Sequence, residues 1–492
     1  MSDSIIRLKA MDGTPVEFVN KVIGSGAMKD VYFSPDKKYV VGFFRTPPDV
    51  SARDRLENIT GTYRERIFGQ EGGDYWKDLY CWPERIVEWE GRVGIVCPAY
   101  QPHFFFQEGR FKGKEKEGKW FASAKLRNKF LEAREKGTWL SHFHMCIRIA
   151  RAVRRLHAAG LAHSDLSYKN VLVDPQTGKA AIIDIDGLVV PDKYPPDVAG
   201  TPDFIAPEVM ETRSLPPGDP RKNMPNIMTD RHALAVLIYM YLLYRHPLKG
   251  CKVHDLDPAR DEELSMGKNA LFIENANDRS NRPRPDQISE AELPQGDVDK
   301  LPYTICGPYL KELFDRVFID GLHNPAARPT AADWESALIK TTDLMQPCQN
   351  PQCEAKWFVF ANTRRPFCPF CGHPYRGQLP VLNFYYAPKP GLFKQENYRL
   401  MVYDKQSLYQ WHVNRFITPN EKLKPEEKKP VGDFHFHQGR WILVNRSLDS
   451  LYDKDRNCKI EINQYVELTE GKKILLSTEK SGRLVLVQLV SN

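Results

Sequence analysis

Between residues 20 and 100 the chain alternates short runs rich in Val, Ile, Phe and Tyr with polar breaks: "VEFVNKVIGSG", "DVYFSP", "KYVVGFF", then "ERIVEW" and "RVGIVCPAY". Runs of this kind predict strands. One longer stretch, "SARDRLENITGTYRERIF", interrupts them and predicts a helix. From about residue 139 the period changes. "HFHMCIRIARAVRRLHAAG" carries Phe143, Ile147, Ala150, Val153 and Leu156 at helical spacing and stops at Gly160. Strand-like "VLVD" and "AAIIDID" follow, then more helices to about residue 340. The run "HALAVLIYMYLLY" (232–244) is apolar on every side, which predicts a helix buried in a core. A β-rich part followed by a helical part implies two lobes with a cleft between them. Beyond residue 345 a Pro/Gly-rich connector, "PYRGQLPVLNFYYAPKPG", leads to a strand-rich tail. No repeat of about 20–50 residues is present.

Composition narrows the class. At 492 residues the chain exceeds a single core, and about two to four domains are expected. Hydrophobic residues at 41% and charged residues at 27% describe an ordinary globular protein. No stretch approaches the roughly 20 apolar residues of a membrane span. The N-terminal "MSDSIIRLKAMDG" lacks a signal-peptide layout, so the expected address is cytoplasmic and no membrane partner is expected. Of ten cysteines, six are scattered and four cluster between 348 and 371, a pattern of a reducing compartment with one metal site. The net charge is +7, and residues 110–136 alone hold ten basic and four acidic groups. That stretch predicts a solvated helix with its flanking loop; its alternative is a patch for an acidic partner or nucleic acid, of which nucleic acid is not expected.

Three short segments carry candidate chemistry. "IGSGAMKDVY" (23–32) lies between two predicted strands, and Gly24, Ser25 and Gly26 would let the backbone approach a phosphate chain, although a hairpin turn needs glycine equally. "HSDLSYKN" (163–170) follows a helix and a glycine and precedes a strand, a loop position at a cleft mouth. Phosphoryl transfer needs a carboxylate to orient the nucleophile's proton and oxygen ligands for a phosphate-bound metal. Asp165 suits the first task; Asn170 and Asp184, in "IIDIDG", suit the second. The competing reading is that Asp and Asn simply form turns there. In "CQNPQCEAKWFVFANTRRPFCPFCG", Cys348, Cys353, Cys368 and Cys371 are spaced for four thiolates around a tetrahedral, structural Zn²⁺.

The segment "GTPDFIAPEVM" (200–210) separates the readings, because with the others it resembles the eukaryotic-like Ser/Thr protein kinases over roughly residues 20–340. Gly24, Gly26 and Val31 resemble the glycine-rich loop; His163, Asp165 and Asn170 the catalytic loop; and Asp184 the aspartate of D-F-G. Gly200, Thr201, Ala206, Pro207 and Glu208 match the end of the activation segment, Asp230 the start of the central helix, and Arg328 the partner of Glu208. The resemblance implies an α+β, bilobal protein-kinase fold. It implies ATP with its adenine near Cys97–Tyr100, Mg²⁺ or Mn²⁺ on Asn170 and Asp184, and Asp165 as the catalytic residue acting on a protein hydroxyl. Departures are plain. Lys29 replaces the third loop glycine, and Asp186 replaces the glycine of D-F-G, where a solvated carboxylate is expected. Ser164 and Ser167 replace the loop Arg and Lys. The strand lysine of V-A-x-K is absent; Arg45, one residue beyond Phe44, is the expected phosphate contact, with Glu65, or else Glu57, as its helix partner.

The expected organisation is an N-lobe (1–100), a C-lobe (101–342), a zinc ribbon (343–378), a linker (379–391) and a β-sandwich (392–492). The sandwich resembles a forkhead-associated (FHA) domain, with Arg415 the nearest match to its phosphothreonine-binding Arg. The combination is similar to bacterial kinases found with a PP2C-type phosphatase and a von Willebrand A-domain protein in tellurite-resistance or stress systems. Two other functions stay open: a pseudokinase scaffold, favoured by the missing lysine, and a small-molecule kinase, favoured by Ser167.

Overall fold

A computed structural model describes residues 4–25, 28–69, 72–190, 193–194, 200–216, 218–362, 364–389 and 391–491. Gly26 lies outside the described residues, as does the side chain of Ser25. The chain divides into two compact units. The first comprises Met1–Gly137, Ser141–Tyr303 and Glu312–Glu335; the second comprises Thr138–Leu140, Thr304–Lys311 and Ser336–Asn492.

The first unit opens with the hairpin β1 (Ile5–Lys9) and β2 (Pro15–Val19). An antiparallel five-stranded sheet follows, built from β3 (Val22–Ser25), β4 (Lys29–Phe33), β5 (Tyr39–Phe44), β6 (Arg85–Trp89) and β7 (Arg92–Pro98), in the order β3-β4-β5-β7-β6. Strand alternation separates its two faces. One face buries Tyr32, Val41, Phe43, Val87 and Val96 against Phe18 of the hairpin. The other face carries Val31, Gly42 and Phe44, opposite one another in register or two residues apart. Gly94 has to be glycine, since a Cβ there would lie 2.6 Å from the Phe43 ring. Helix Val50–Asn58, capped by Asp49, packs Leu56 into a cluster with Phe44, Ile86, Val93 and Ile95.

The helical part is built around helix Ile227–Leu243, in which every residue from Ala233 to Leu243 is buried. Its start is fixed by a reciprocal cap between Asn226 and Thr229. Beside it lie helix Trp139–Ala158 and the two-stranded sheet of β8 (Val171–Asp174) and β9 (Lys179–Ile182). Among the described residues no helix is long and apolar enough to cross a membrane. Residues 110–136 are largely the exposed helix and loop expected from their charge, with a few charged groups taken inside. They form short turns and one helix, Ala124–Phe130. Lys116 is 1% exposed, 2.9 Å from Asp174 and 3.0 Å from Glu135. Arg127, also buried, lies over the Tyr244 ring. Two of the ten basic groups are therefore internal, while most of the others stay at the surface.

The second unit joins a small hairpin, β10 (Met345–Pro347) with β11 (Trp357–Val359), to a two-sheet sandwich. One sheet has the order β13-β12-β21-β20-β17-β18 and the other β14-β15-β16-β19. Their strands are β12 (Leu379–Lys389), β13 (Leu392–Met401), β14 (Ser407–Leu408), β15 (Gly432–His437), β16 (Arg440–Asn445), β17 (Tyr452–Asp453), β18 (Cys458–Lys459), β19 (Tyr465–Glu467), β20 (Lys473–Leu475) and β21 (Arg483–Val490). Leu382, Phe384, Leu400, Phe434, Leu443 and Val485 meet between the sheets. The expected linker at 379–391 is instead mostly β12, which pairs with both β13 and β21. Its Pro/Gly-rich composition suggested a connector. Pro380 lies before the first β13 pair, at Val381, and second in the β21 ladder, opposite Leu489, while Pro388 lies in the register break between Tyr386 and Lys389, so both fall near the ends of the strand.

Candidate active site

The loop 163–170 is fixed largely by backbone hydrogen bonds. Asp230, 1% exposed at the start of the buried helix, accepts from the backbone N–H groups of His163 (2.7 Å) and Ser164 (3.2 Å). His163 Nε2 lies 2.9 Å from the Ile183 carbonyl. Ser164 takes a left-handed backbone conformation, φ 66°, unusual for a residue with a Cβ. Held this way, Asp165 turns both carboxylate oxygens to donors: Oδ1 accepts from the Thr201 backbone N–H at 2.6 Å, and Oδ2 from Asn170 Nδ2 at 2.9 Å. The Thr201 hydroxyl reaches Ser167 Oγ at 3.3 Å. Below, Arg328, fully buried, grips Glu208 with two bonds of 2.8 and 2.7 Å and donates to the carbonyls of Gly321, Leu322 and Met228. Tyr194 contacts Asp54, and its hydroxyl accepts from Asn58 Nδ2 at 2.8 Å, which ties this segment to helix Val50–Asn58.

Above the loop a cavity of about 670 Å³ opens between the five-stranded sheet and the helical part. Gly24, Val31, Cys97, Tyr100, Asn170 and Asp184 line it, so these six expected residues share one space. Asp184 also has a left-handed backbone, φ 61°. Its pKa is raised by desolvation and by the neighbouring Asp186 carboxylate, against the pull of Lys29. The donor set suits a nucleotide and a hard cation: an apolar strand wall for a base, and a carboxylate and a carboxamide oxygen on the opposite wall.

Arg45 and Glu65 are not brought to this space. Alternation puts Arg45 on the sheet face of Val41 and Phe43, which packs on the hairpin, and its guanidinium lies on Asp30 at 2.9 and 3.0 Å. Glu65 is exposed on the short helix Arg64–Phe68, and Glu57 is exposed 3.7 Å from Arg53. Where a strand lysine would meet a helix carboxylate, Phe44 packs on Leu56. Lys29 and the exposed Lys37 both line the cavity, and Asp186 is not solvated but lies against Lys29. The clue in the sequence was the pair of departures itself, a lysine and an aspartate in place of two glycines.

In the second unit the four cysteine sulfurs all lie within 4.8 Å of one another, with Cys348–Cys371 at 3.6 Å and Cys353–Cys368 at 3.8 Å. A tetrahedron with Zn–S bonds of about 2.3 Å has edges of about 3.8 Å, so the set fits Zn²⁺ with no open position. The Cys353 pKa is held down to about 5, chiefly by the hydrogen bond from Cys368. Arg415, on the sandwich, stacks over the Tyr386 ring at 3.8 Å and lies 3.9 Å from Glu396.

An antiparallel sheet over a helical lobe, with an anchored aspartate and a second carboxylate facing the cleft, has the groups that phosphoryl transfer needs. Comparison with known proteins agrees at that level. Residues 123–333 match the protein kinase domain. Over 107 residues the chain is 35% identical to Death-associated protein kinase dapk-1 of Caenorhabditis elegans, a match covering 21% of this chain and 7% of that protein's length. A solved rhoptry antigen kinase domain of Toxoplasma gondii aligns with a TM-score of 0.36 and 16% identity, over 56% of this chain and 84% of that one. Residues 123–333 are thus similar to a protein kinase domain, and a β-rich region follows them in the chain. The matched residues begin beyond the five-stranded sheet, which is the part that departs most from the kinase pattern.

Proposed function

We propose that the protein is an ATP-dependent Ser/Thr protein kinase whose C-terminal zinc ribbon and FHA-like sandwich serve as docking domains. The observation that carries this reading is Asp165, oriented by Thr201 and by Asn170, which itself lines the cavity together with Asp184. Asp165 would orient the acceptor hydroxyl and take its proton, while Asn170 and Asp184 would hold Mg²⁺ or Mn²⁺. The metal would neutralise charge on the phosphates. Val31, Cys97 and Tyr100 would bind the base, and Gly24 to Gly26 would close over the phosphates. The intact 200–208 segment supports a peptide acceptor over a small molecule. The two-sheet sandwich supports a docking role in a signalling system, with a PP2C-type phosphatase and a von Willebrand A-domain protein as partner classes.

Phosphate incorporation from γ-labelled ATP, with wild type, Asp165→Asn and Asp184→Ala, tests the reading. Label that appears with wild type and vanishes in both variants is expected. The scaffold reading is favoured by one observation, Phe44 at the position of the strand lysine. Nucleotide-dependent thermal stabilisation without any label transfer would select it.

A further inference from the structure

Two residues in the cleft depart from the protein-kinase pattern, and they touch. Lys29 Nζ lies 2.7 and 2.8 Å from the two carboxylate oxygens of Asp186 and 3.5 Å from Asp184 Oδ1. One departure adds a cation where a glycine is expected, the other adds an anion where a glycine is expected, and each neutralises the other.

The position of the ammonium follows from strand register. In the antiparallel pair β4–β5, Lys29 is directly opposite Phe44. Directly opposed residues project from the same face of a sheet. Phe44 occupies the place of the strand lysine, so Lys29 emerges on the cleft face, at the same level, one strand over. Its Nζ is 5.3 Å from the Phe44 ring centroid. Its stem passes across Gly42, where a Cβ would sit 3.6 Å from Lys29 Cδ. The two acids are placed differently. The Asp186 side chain is 13% exposed and engaged on the ammonium, whereas that of Asp184 is 55% exposed towards the open cavity. Desolvation lowers the Lys29 pKa, but the two carboxylates outweigh it and hold the group as a cation.

We propose that Lys29, positioned by Asp186, is the cation that binds the nucleotide phosphates in this cleft, and that this pair replaces a strand-lysine and helix-glutamate pair. The assignment rests on the nucleotide reading above. Asp186 is a positioning residue. It draws the ammonium towards itself and leaves Asp184 free to meet a metal. Without Asp186 the ammonium would settle on Asp184; without Lys29 two carboxylates would face each other uncompensated. The carboxylate that sets the cation thus belongs to the metal loop itself, two residues from Asp184. Assembly of the phosphate site then does not depend on a carboxylate from helix Val50–Asn58.

The test measures affinity for ATP and for adenosine separately, by calorimetry on the folded, zinc-loaded full chain, alongside label transfer. Lys29→Ala is expected to weaken ATP binding about 10- to 100-fold, the worth of a hydrogen bond to a charged group. Adenosine affinity is expected to stay within about twofold, because no phosphate is involved. Lys29→Arg should recover part of the ATP affinity. Asp186→Asn should raise the KM for ATP with a smaller change in kcat, a split that a purely structural defect would not produce. Unchanged ATP affinity in Lys29→Ala, or an equal loss of adenosine affinity, overturns the assignment. So does a loss of ATP affinity in Arg45→Ala with none in Lys29→Ala. Wild type that binds ATP through Lys29 yet transfers no label would leave this pair standing and sink the kinase reading instead.

Discussion

The two walls of the cleft hold their charged groups in different ways. On the helical wall the charged groups are held by the backbone: Asp230 takes the amides of His163 and Ser164, and Asp165 takes the amide of Thr201. On the sheet wall the charge is held by a side chain alone, Lys29 on Asp186. A backbone donor exists at one position in the chain, so its partner must occupy one position too. A lysine ammonium on a flexible four-carbon stem can reach the same point from a neighbouring strand. The helical wall accordingly fixes Asp165 and Asn170 by short intervals along the chain, while the ammonium on the sheet wall reaches Asp186 from 157 residues away.

That contrast can be broken at several points. The largest effect is expected for Asp165→Asn, which can still accept one of the two hydrogen bonds through its amide oxygen but removes the base. Label transfer should fall by about 10²–10⁴ with an unchanged melting temperature. Arg328→Ala leaves Glu208 partly buried and unpaired, and equilibrium unfolding should show a loss of about 3–5 kcal/mol. A loss under about 1 kcal/mol would mean that the buried pair is no anchor.

The cysteine cluster obeys the rule of the helical wall, since Cys368 is fixed by turn bonds to His373 and Gly372. Cys353 and Cys368 also belong to a core that includes Val381, Met401 and Val490 of the sandwich. Metal chelation should therefore release one zinc per chain and lower the melting temperature of the second unit. An unaltered melt after full zinc release would separate the ribbon from the sandwich. On the sheet wall, Phe44→Lys in a Lys29→Ala background should recover about tenfold in ATP affinity, because the two positions face each other across the strands. Arg45→Ala is expected to do least, within about 1 kcal/mol of stability and twofold in KM, as its pair with Asp30 is half exposed.

The sequence alone determined much of this protein. Strand and helix periods separated a β-rich part from a helical one, spacing revealed the cysteine cluster, and the ordered motifs singled out Asp165, Asn170 and Asp184. These signals are legible because they depend on local geometry: turns, caps and backbone hydrogen bonds tie function to fixed intervals along the chain. Three matters were decided only in the tertiary structure. Which cation serves the cleft depended on which sheet face meets the hairpin, and Arg45, counted along one strand, fell on the far side. Whether Lys116 joins the exposed charge of residues 110–136 depended on Asp174, 58 residues away, taking that lysine inside. Whether residues 379–391 link or build depended on β21, nearly 100 residues further on, supplying the partner strand. In each case a long-range partner set the outcome, and the local chain carries no record of such a partner.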